Sequence, residues 1–441
     1  MNRPCLPCRR LWGALLSCLL ASAASAAITT TGSVSPSYPG GAPDPWDAGG
    51  ALDVAVNGAG SLTITQGSAV SAINSLVGGL SAGNGTVAID GAGSSLELTG
   101  ALSLGSSITG GQGAVSLAGA GSRLLVGSDA AAASAGLNPS ETALVVAGFS
   151  LQIQLNLEAG STLQIDGNSY LAMGENESAA ALLNGSGTVW HSTGSVHVGG
   201  AGSAWVSLDQ GATLSAGGAI DVGSGGDVFG DGHLSGNVTN GGLIEPGSGV
   251  GDLAVTGSFQ QSSLGTLQLQ LGGRGAGEFD TLTVDGTVDL AGTLAVGLFD
   301  LGGGLLAPQP GDAFEILTAT GGVSGTFTSF SLPGLTPGLA WQVHYLSNSV
   351  VLAATYPGDF NIDGVVDGAD LGQWQQDYGV SPNSDANLDA ASNGADFLIW
   401  QRNYGLGASS VTAIPEIPSA SLSLIGVALL WLALAPSKRR G

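Results

Sequence analysis

The chain has 441 residues, of which 76 are glycine, and its formal net charge is -24 with only 10% charged residues. Between residues 11 and 437 the only cationic side chains are three arginines, so the sequence offers no clustered positive surface of the kind that follows phosphate backbones. Nucleic acid is thereby excluded as a partner, whereas the acidic balance suits divalent cations and a position outside the cell.

Residues 1–26 have the layout of a secretory signal peptide. Three arginines lie before the apolar run Leu11–Leu20, and the ASA sequence at residues 24–26 is a small-residue cleavage site. The run is too short for a retained membrane anchor, which is the alternative. All three cysteines lie in this leader, so we predict an exported mature chain without disulfides. Residues 27–50 are predicted to form an extended segment.

Residues 51–227 carry short apolar-alternating runs punctuated by glycines. The runs at Gly83 and Gly91 (GNGTVAI and GAGSSLEL) recur at Gly111 and Gly119 (GQGAVSL and GAGSRLLV), so one unit repeats after 28 positions. Short strands joined by glycine turns in a unit of that length are typical of one coil of a β-solenoid, similar to a right-handed β-helix. The alternative is a sandwich of antiparallel sheets, because turns every 8–12 residues or so also fit that fold.

Two stretches interrupt this rhythm, residues 130–136 and 175–183, where we predict short helices or protruding loops. From residue 228 to residue 355 the alternating runs lengthen, and hairpin-sized gaps separate them. We predict a terminal β domain there that covers the open end of the stack, since an uncovered end exposes unpaired strand edges. The predicted fold class is therefore mainly β.

The body offers few candidates for catalysis. His191 and His197 lie six residues apart in a strand-like run with no carboxylate beside them in sequence, a pattern typical of solvated surface residues. Asp221, Asp227 and Asp231 fit ordinary solenoid turns better than a calcium cluster. The body resembles the autotransporter-associated β-repeat of bacterial exported proteins, which implies a surface-exposed β body without catalytic residues. We therefore predict no catalytic residue.

A twelve-residue loop, DFNIDGVVDGAD, begins at Asp359 and has the spacing of an EF-hand calcium loop. Gly364 occupies the sharp turn of this loop, and the same pattern returns further along the chain, beginning at Asp385. We predict two Ca²⁺ sites with side-chain oxygens and one backbone carbonyl each. The predicted ligands are Asp359, Asn361, Asp363, Val365, Asp367 and Asp370 in the first site, and Asp385, Asn387, Asp389, Ala391, Asn393 and Asp396 in the second.

The segment after each loop also repeats, with apolar or aromatic residues at steps of three and four that share one helical face. They are Leu371, Trp374 and Tyr378 after the first loop and Phe397, Trp400 and Tyr404 after the second. Residues 356–405 thereby resemble the type I dockerin, which implies an α-helical EF-hand-like module and a cohesin-like partner. Ala390 stands where the second loop requires glycine, and this loop has one carboxylate fewer, so we predict that the second site is weaker.

The chain ends in a three-part pattern. A linker at residues 406–418 contains IPEIP, and residues 419–441 hold an apolar stretch followed by Lys438, Arg439 and Arg440. Such a stretch predicts a C-terminal transmembrane helix whose basic end stays cytoplasmic. The pattern resembles the PEP-CTERM sorting signal, which implies processing by an exosortase, although Ile417 replaces the second proline of the motif. A plain membrane anchor is the alternative.

Taken together, these features favour a non-enzymatic protein that is exported to the cell envelope, the cell surface or the extracellular matrix. Its expected work is adhesion, matrix building or scaffold attachment, with extracellular polysaccharide or matrix as the partner. The alternative is a polysaccharide-degrading glycoside hydrolase or lyase, because dockerin-like modules accompany such enzymes. Carboxylates that converge in a cleft of the body would favour that alternative.

Overall fold

In the computed structural model, the described residues are 27–40, 44–79, 83–105, 111–127, 142–146 and 154–407. The predicted leader (1–26), the interruption at 130–136 and the predicted C-terminal helix (419–441) lie outside these ranges, as does the linker beyond residue 407. Among the described helices, none combines the length and the apolar character needed to cross a bilayer.

The described chain consists mainly of short strands, followed by two helices near its C-terminal end. The first strands are β1 (Ala27–Gly32), β2 (Val34–Ser35), β3 (Trp46–Asp47), β4 (Leu52–Val54), β5 (Ala59–Thr65), β6 (Ala69–Ala72), β7 (Ser75–Val77), β8 (Asn84–Asp90), β9 (Ser95–Leu98), β10 (Leu102–Leu104), β11 (Gln112–Ala118), β12 (Arg123–Val126), β13 (Thr142–Val146), β14 (Gln154–Glu158), β15 (Thr162–Ile165), β16 (Asn168–Leu171), β17 (Ser178–Asn184) and β18 (Val189–Ser192). They continue as β19 (Val196–Val198), β20 (Ser203–Asp209), β21 (Thr213–Val222), β22 (Gly226–Gly230), β23 (His233–Asn240), β24 (Leu243–Pro246), β25 (Asp252–Val255), β26 (Phe259–Gln261), β27 (Thr266–Leu271), β28 (Thr281–Val284), β29 (Val288–Leu290), β30 (Thr293–Leu298), β31 (Asp312–Ala319), β32 (Val323–Gly325), β33 (Ser329–Ser331), β34 (Ala340–Tyr345) and β35 (Ser349–Thr355). The helices are α1 (Gly368–Asp377) and α2 (Gly394–Asn403), with the 3-10 helix Pro382–Ser384 between them.

These strands stack into parallel ladders, as a β-solenoid requires. One ladder forms a separate sheet that runs from β5 to β33. A second ladder runs from β3 to β31 and a third from β4 to β32, and the long strands β21 and β23 belong to both. The predicted mainly β, solenoid-like body is therefore confirmed. The antiparallel sandwich is wrong, because neighbours within each ladder run in the same direction.

The strand register explains the repeat in the sequence. Asn84 lies opposite Gln112, and Ser95 lies opposite Arg123, so residues that occupy equivalent positions in successive repeats are direct partners in the ladders. At the corner of each coil, Gly91 and Gly119 have φ values of 89° and 84°, which side chains other than glycine rarely adopt. The repeat unit of the sequence is therefore one coil of the stack.

The core is a column of inward apolar side chains inside these ladders. Leu62, Val87, Val115 and Leu155 lie opposite one another in successive coils, and each is at most 1% exposed. Burying a side chain of this size contributes about 1.5–3 kcal/mol, but each column exists only when neighbouring coils are stacked. The fully buried Trp190 belongs to the same core, so its side chain occupies one of the inward-facing positions of a strand.

Two sequence-based boundaries inside the body are wrong. Strand β22 spans the predicted division between residues 227 and 228, and parallel pairing continues as far as β33, well inside the stretch predicted as a terminal β domain. The interruption predicted at residues 175–183 is largely strand β17, which pairs in parallel with β14 and β20. Its alanines fit this position because small side chains also fill an inward-facing row.

Antiparallel strands occur at the two ends of the stack. At the first end, β1 pairs with β5 and β2 pairs with β4, so the segment at residues 27–50 covers an edge. At the second end, β35 lies between β31 and β34 and is antiparallel to both. A reversal of direction stops the addition of further coils, and the C-terminal helices follow directly from β35.

Close stacking of the coils predicts that Gly226→Ala is destabilising by about 2 kcal/mol. A Cβ atom at residue 226 would lie 2.0 Å from the carbonyl oxygen of Val198 in the preceding coil, so the backbone has to move. The measurement is the urea midpoint of unfolding. Gly303→Ala is the control, because a Cβ atom there meets no heavy atom within 4 Å. Equal midpoints for the two variants would contradict the prediction.

Candidate metal centre

The two acidic loops lie at residues 359–370 and 385–396, each leading into a helix. Helix α1 is capped by Asp367, whose Oδ1 accepts the Ala369 N–H at 2.7 Å, and α2 is capped by Asn393, whose Oδ1 accepts the Ala395 N–H at 2.8 Å. A side-chain oxygen before the first turn satisfies amides that the helix leaves unpaired. The position-9 residue of each loop therefore also starts a helix.

In the first loop, backbone amides fix the carboxylates at both ends. Asp359 accepts the Asp363 N–H at 3.1 Å on Oδ1 and the Gly364 N–H at 2.9 Å on Oδ2. Asp370 accepts the Phe360 N–H at 2.8 Å on Oδ1 and the Asp367 N–H at 2.8 Å on Oδ2. These bonds wrap the chain around the first and last acidic residues, so a twelve-residue turn closes on itself.

The second loop repeats this arrangement. Asp385 accepts the Asp389 N–H at 3.1 Å and the Ala390 N–H at 2.7 Å. Asp396 accepts the Ala386 N–H at 2.9 Å and the Asn393 N–H at 2.8 Å. The duplicated sequence therefore folds into a duplicated turn. Acidic residues at equivalent positions of the two loops accept backbone N–H groups from equivalent residues.

The remaining predicted ligands sit in the middle of each loop. Asn361 Nδ2 donates to Asp363 Oδ2 at 2.9 Å, and Asn387 Nδ2 donates to Asp389 Oδ2 at the same distance. Val365 donates its N–H to Asp363 Oδ1 at 2.9 Å. Position 7 of the second loop, Ala391, is bonded in the same way to Asp389 Oδ1 at 3.1 Å.

Burial is the main influence on the electrostatics of the loops, and repulsion between their carboxylates adds to it. Asp359, Asp370 and Asp396 are each 0% exposed, and burial raises the pKa of each carboxyl above its ordinary value. Burial also raises the pKa of Asp385 to about 6, and the charges of Asp396 and Asp389 add to this shift. A cation bound among these groups would remove the repulsion and favour the ionised carboxylates.

The donor set fits a hard cation in its chemistry, because every predicted ligand atom is a carboxylate, amide or carbonyl oxygen. Each carboxylate has four lone-pair positions, and the bonds described above use only part of them. Within the described ranges, no three His, Cys, Asp or Glu side chains already enclose a metal position. The loop oxygens accept backbone N–H groups, and the lone pairs that these bonds leave unused are the ones available to an ion.

The second loop differs from the first at position 9. Asn393 has a single side-chain oxygen, which caps α2, and its Nδ2 lies 3.2 Å from Asp389 Oδ2 and 3.2 Å from the Ala391 carbonyl oxygen. The side-chain amide of Asn393 therefore donates to two oxygens that are predicted Ca²⁺ ligands. In the first loop, position 9 is Asp367, which caps α1 with a carboxylate and carries no amide donor.

This difference predicts that Asn393→Asp increases the Ca²⁺ affinity of the second loop about tenfold, or roughly 1.4 kcal/mol. The new carboxylate retains the cap, removes the amide donor and adds a charge. Calorimetric titration of the second site provides the measurement. Asn403→Asp is the control, because Asn403 bonds within α2 to Ile399. An unchanged or weaker second site in Asn393→Asp would contradict the expectation.

The two loops also differ in the turn residue at position 6. Gly364 has a φ of 83° and Ala390 has a φ of 68°, so alanine adopts a left-handed conformation in the second loop. Because this conformation costs alanine about 1 kcal/mol, we expect Ala390→Gly to stabilise the second loop by that amount. The thermal midpoint of the C-terminal helices reports the change, and Ala391→Gly, next to it in the chain, should not raise it.

Aromatic residues join the two halves of the module. The rings of Trp374 in α1 and Phe397 in α2 are 5.1 Å apart, and Phe397 also lies 5.5 Å from Trp400 of its own helix, so the two repeated triplets pack against each other. Trp374 Nε1 donates to the Asn393 carbonyl at 2.9 Å, and Trp400 Nε1 donates to the Asp367 carbonyl at 2.8 Å. Each indole thus holds position 9 of the opposite loop, a role that the triplet spacing does not reveal.

His191 and His197 do not lie together, and one of them contacts an aspartate of the turn cluster instead. His191 lies in β18 and His197 in β19, which belong to different ladders. No carboxylate lies beside His197 in the sequence, but in the fold its Nδ1 is 3.1 Å from Asp221 Oδ2. Asp221 lies opposite His197 in the next coil, so stacking supplies a neighbour that is distant in the sequence. The ring of Tyr170 stacks on His197 at 4.8 Å.

An acidic groove of about 520 Å³ on the body was missed by sequence reasoning. Its lining includes Glu158, Asp209, Asp231 and Phe299. Glu158 and Asp209 are the last residues of β14 and β20, which belong to the same ladder. In the sequence, each is the acidic residue that ends an apolar-alternating run, and this shared position is the signal that could have identified them. Asp209 Oδ1 accepts the Ser248 hydroxyl at 3.1 Å.

No protein-family model matches this sequence, and no curated protein is similar to it. The resemblances to dockerin, PEP-CTERM and autotransporter-associated sequences therefore depend on the motifs themselves.

Proposed function

We propose that this chain is an exported structural or adhesion protein of the cell surface or extracellular matrix, with a C-terminal module that binds Ca²⁺. The observation that carries the proposal is the pair of loops at residues 359–370 and 385–396, in which equivalent acidic residues make equivalent backbone bonds. Two loops of this kind with all-oxygen donors suit Ca²⁺, which is plentiful outside the cell.

An architectural role is supported by the solenoid body. Each coil contacts only its neighbours, so the outer faces of the ladders offer rows of side chains that repeat from coil to coil. Such rows suit contact with extracellular polysaccharide or matrix, which are polymers with repeats of their own. The module is proposed to recruit a cohesin-like protein, as its resemblance to dockerin implies.

Export and sorting rest on the sequence of the two ends. The leader at residues 1–26 supports secretion, and the pattern at residues 406–441 supports processing by an exosortase or retention by a membrane-spanning helix. Mass spectrometry of the mature termini, in envelope and medium fractions, distinguishes these outcomes. A mature protein that retains residues 1–26 would overturn the proposal of export.

The calcium proposal is tested by calorimetric titration of the full chain with CaCl₂ after treatment with a chelator. We expect two binding events, and the tighter one should vanish in Asp370→Asn, which would assign it to the first loop. Asp289→Asn, which changes an exposed carboxylate of the body, serves as the control for charge and should bind as the parent does. A flat titration of folded protein would overturn the proposal.

The acidic groove favours one second candidate, an enzyme that cleaves polysaccharide. Glycoside hydrolysis requires two carboxyl groups across a cleft, and Glu158, Asp209 and Asp231 line one groove. Release of reducing sugar from a glycan panel is the test. Activity that disappears in Glu158→Gln and Asp209→Asn would establish this candidate, whereas cell or matrix binding by an inactive protein supports the structural role.

A further inference from the structure

Strand β34, the last but one of the body, has a single strand neighbour among the described strands. It pairs with β35 on one side, and on its other side it packs against the 3-10 helix Pro382–Ser384, which lies between the two acidic loops. An edge strand carries unpaired N–H and C=O groups, and proteins usually cover such an edge. The C-terminal module therefore occupies the position that a further strand would take.

A single side chain makes hydrogen bonds to the edge of β34 of the kind that a neighbouring strand would make. Asn383 Oδ1 accepts the Tyr345 N–H at 2.7 Å, and Asn383 Nδ2 donates to the Tyr345 carbonyl at 3.3 Å. The amide thus satisfies both backbone groups of one edge residue. Asn383 lies two residues before Asp385, the first predicted ligand of the second loop.

The first loop holds the neighbouring strand. Thr355 is the last residue of β35, and its hydroxyl donates to Asp359 Oδ2. Both residues are 0% exposed, so this bond is shielded from water. The first loop is therefore bonded to β35 through its first residue, Asp359. The second loop is bonded to β34 through Asn383, two residues before its first residue.

The module also buries polar groups against this edge. His344 of β34 is 8% exposed, and its Nε2 lies 3.3 Å from Gln342 Oε1. On the module side, the Ser384 hydroxyl donates to Asp377 Oδ2 at 2.6 Å, which holds the 3-10 helix against α1. The bonds that cross the contact are those of Asn383 with Tyr345 and of Thr355 with Asp359.

We propose that the module is a clasp on the terminal edge of the solenoid, and that Ca²⁺ tightens it. The proposal rests on the Ca²⁺ binding proposed above. Without the ion, buried carboxylates in each loop repel, which loosens the segments that carry Asp359 and Asn383. With the ion, both loops become rigid and hold Thr355 and Tyr345. Since coupling between sites is reciprocal, loss of the clasp contacts also weakens Ca²⁺ binding.

Hydrogen exchange of the full chain, with and without saturating CaCl₂, tests the clasp. The amides of β34 are expected to exchange at least tenfold more slowly with Ca²⁺, while those of β8, near the other end of the stack, exchange equally in both conditions. Ca²⁺ binding by calorimetry, together with unchanged exchange in β34, would overturn the clasp and leave the proposed function intact. Absence of Ca²⁺ binding would overturn both.

Two variants separate the clasp contacts from the loops themselves. Asn383→Ala should remove most of the Ca²⁺-dependent protection of β34 and weaken the second site about threefold, while Asn403→Ala, in the same module, should change neither. Thr355→Val should weaken the first site by a similar factor, and Thr355→Ser, which keeps the hydroxyl, should restore it. Full protection of β34 in Asn383→Ala would contradict the clasp.

Discussion

Replacing Asp359 with asparagine is expected to lower the Ca²⁺ affinity of the first loop about 100-fold, or roughly 3 kcal/mol. Asp359 is 0% exposed, and its two oxygens accept backbone N–H groups from Asp363 and Gly364 on opposite sides. Asparagine replaces one of those oxygens with an NH₂ group, which then faces an N–H donor. The substitution also removes one of the charges that attract the ion.

The loss of affinity should reduce stability only when Ca²⁺ is present. A ligand that binds the folded state alone stabilises it by an amount that rises with the logarithm of its affinity, so saturating Ca²⁺ raises the unfolding midpoint of the parent module. In chelator, Asp359→Asn removes a buried charge beside Asp363 and Asp370 and so relieves their repulsion. We therefore expect that the unfolding midpoint of the parent no longer exceeds that of the variant. The two midpoints should therefore differ widely in CaCl₂ and converge in chelator.

Calorimetric titration and thermal unfolding followed by tryptophan fluorescence check this expectation. The matched comparison is Asp385→Asn, the equivalent change in the second loop, which should abolish the weaker site and preserve the tighter one. Asp289→Asn controls for a lost charge outside the module. Equal effects of Asp359→Asn and Asp385→Asn on the tighter site would contradict the assignment of the sites to the loops.

The sequence predicts those features that neighbouring residues determine. The spacing of acidic residues from Asp359 to Asp370 specifies the loop, and steps of three and four specify the aromatic face of each helix. The glycine-punctuated repeat likewise gives the coil, because each coil carries its own glycine corners. In all these cases, the interacting groups lie within one loop, one helix or one repeat.

Features that depend on stacking could not be predicted in this way. Strand β17 was interpreted as an interruption because its run of alanines lacks alternation, but the coils on either side determine its pairing. The neighbour of His197 is Asp221, one coil away, and the acidic groove combines residues from several coils. Thr355 carries no signal of its own, since its role depends on where β35 ends relative to the first loop.

A buried acidic group in the body predicts a second large effect, on the pH dependence of stability. Asp280 is 0% exposed and accepts the Gly251 N–H at 2.8 Å and the Gln270 N–H at 2.7 Å. Burial raises the pKa of Asp280 from 3.8 to about 8, and the charges of Glu245 and Asp252 add to the shift. The folded state therefore keeps a proton that the unfolded state has already released.

The sign of the effect follows from this difference. Below the ordinary pKa, both states hold the proton, and Asp280 has no influence on the pH dependence. Between about pH 4 and pH 8 the unfolded state is ionised, so each pH unit lowers the free energy of unfolding by about 1.4 kcal/mol. Above pH 8 both states are ionised and the decline ends. From pH 6 to pH 8 the expected loss is roughly 2 kcal/mol.

Urea unfolding of the parent and of Asp280→Asn at pH 5, 6, 7 and 8 measures this loss, with CaCl₂ held at saturation so that the acidic loops stay ionised. Asparagine cannot ionise and forfeits one of the two backbone bonds, so the variant should be the less stable protein at pH 5. It should gain on the parent by roughly 2 kcal/mol between pH 6 and pH 8, because only the parent has to take up a proton when it folds. Asp289→Asn should follow the parent at every pH. Parallel profiles for the parent and Asp280→Asn would show that the buried carboxyl does not hold its proton in the folded state.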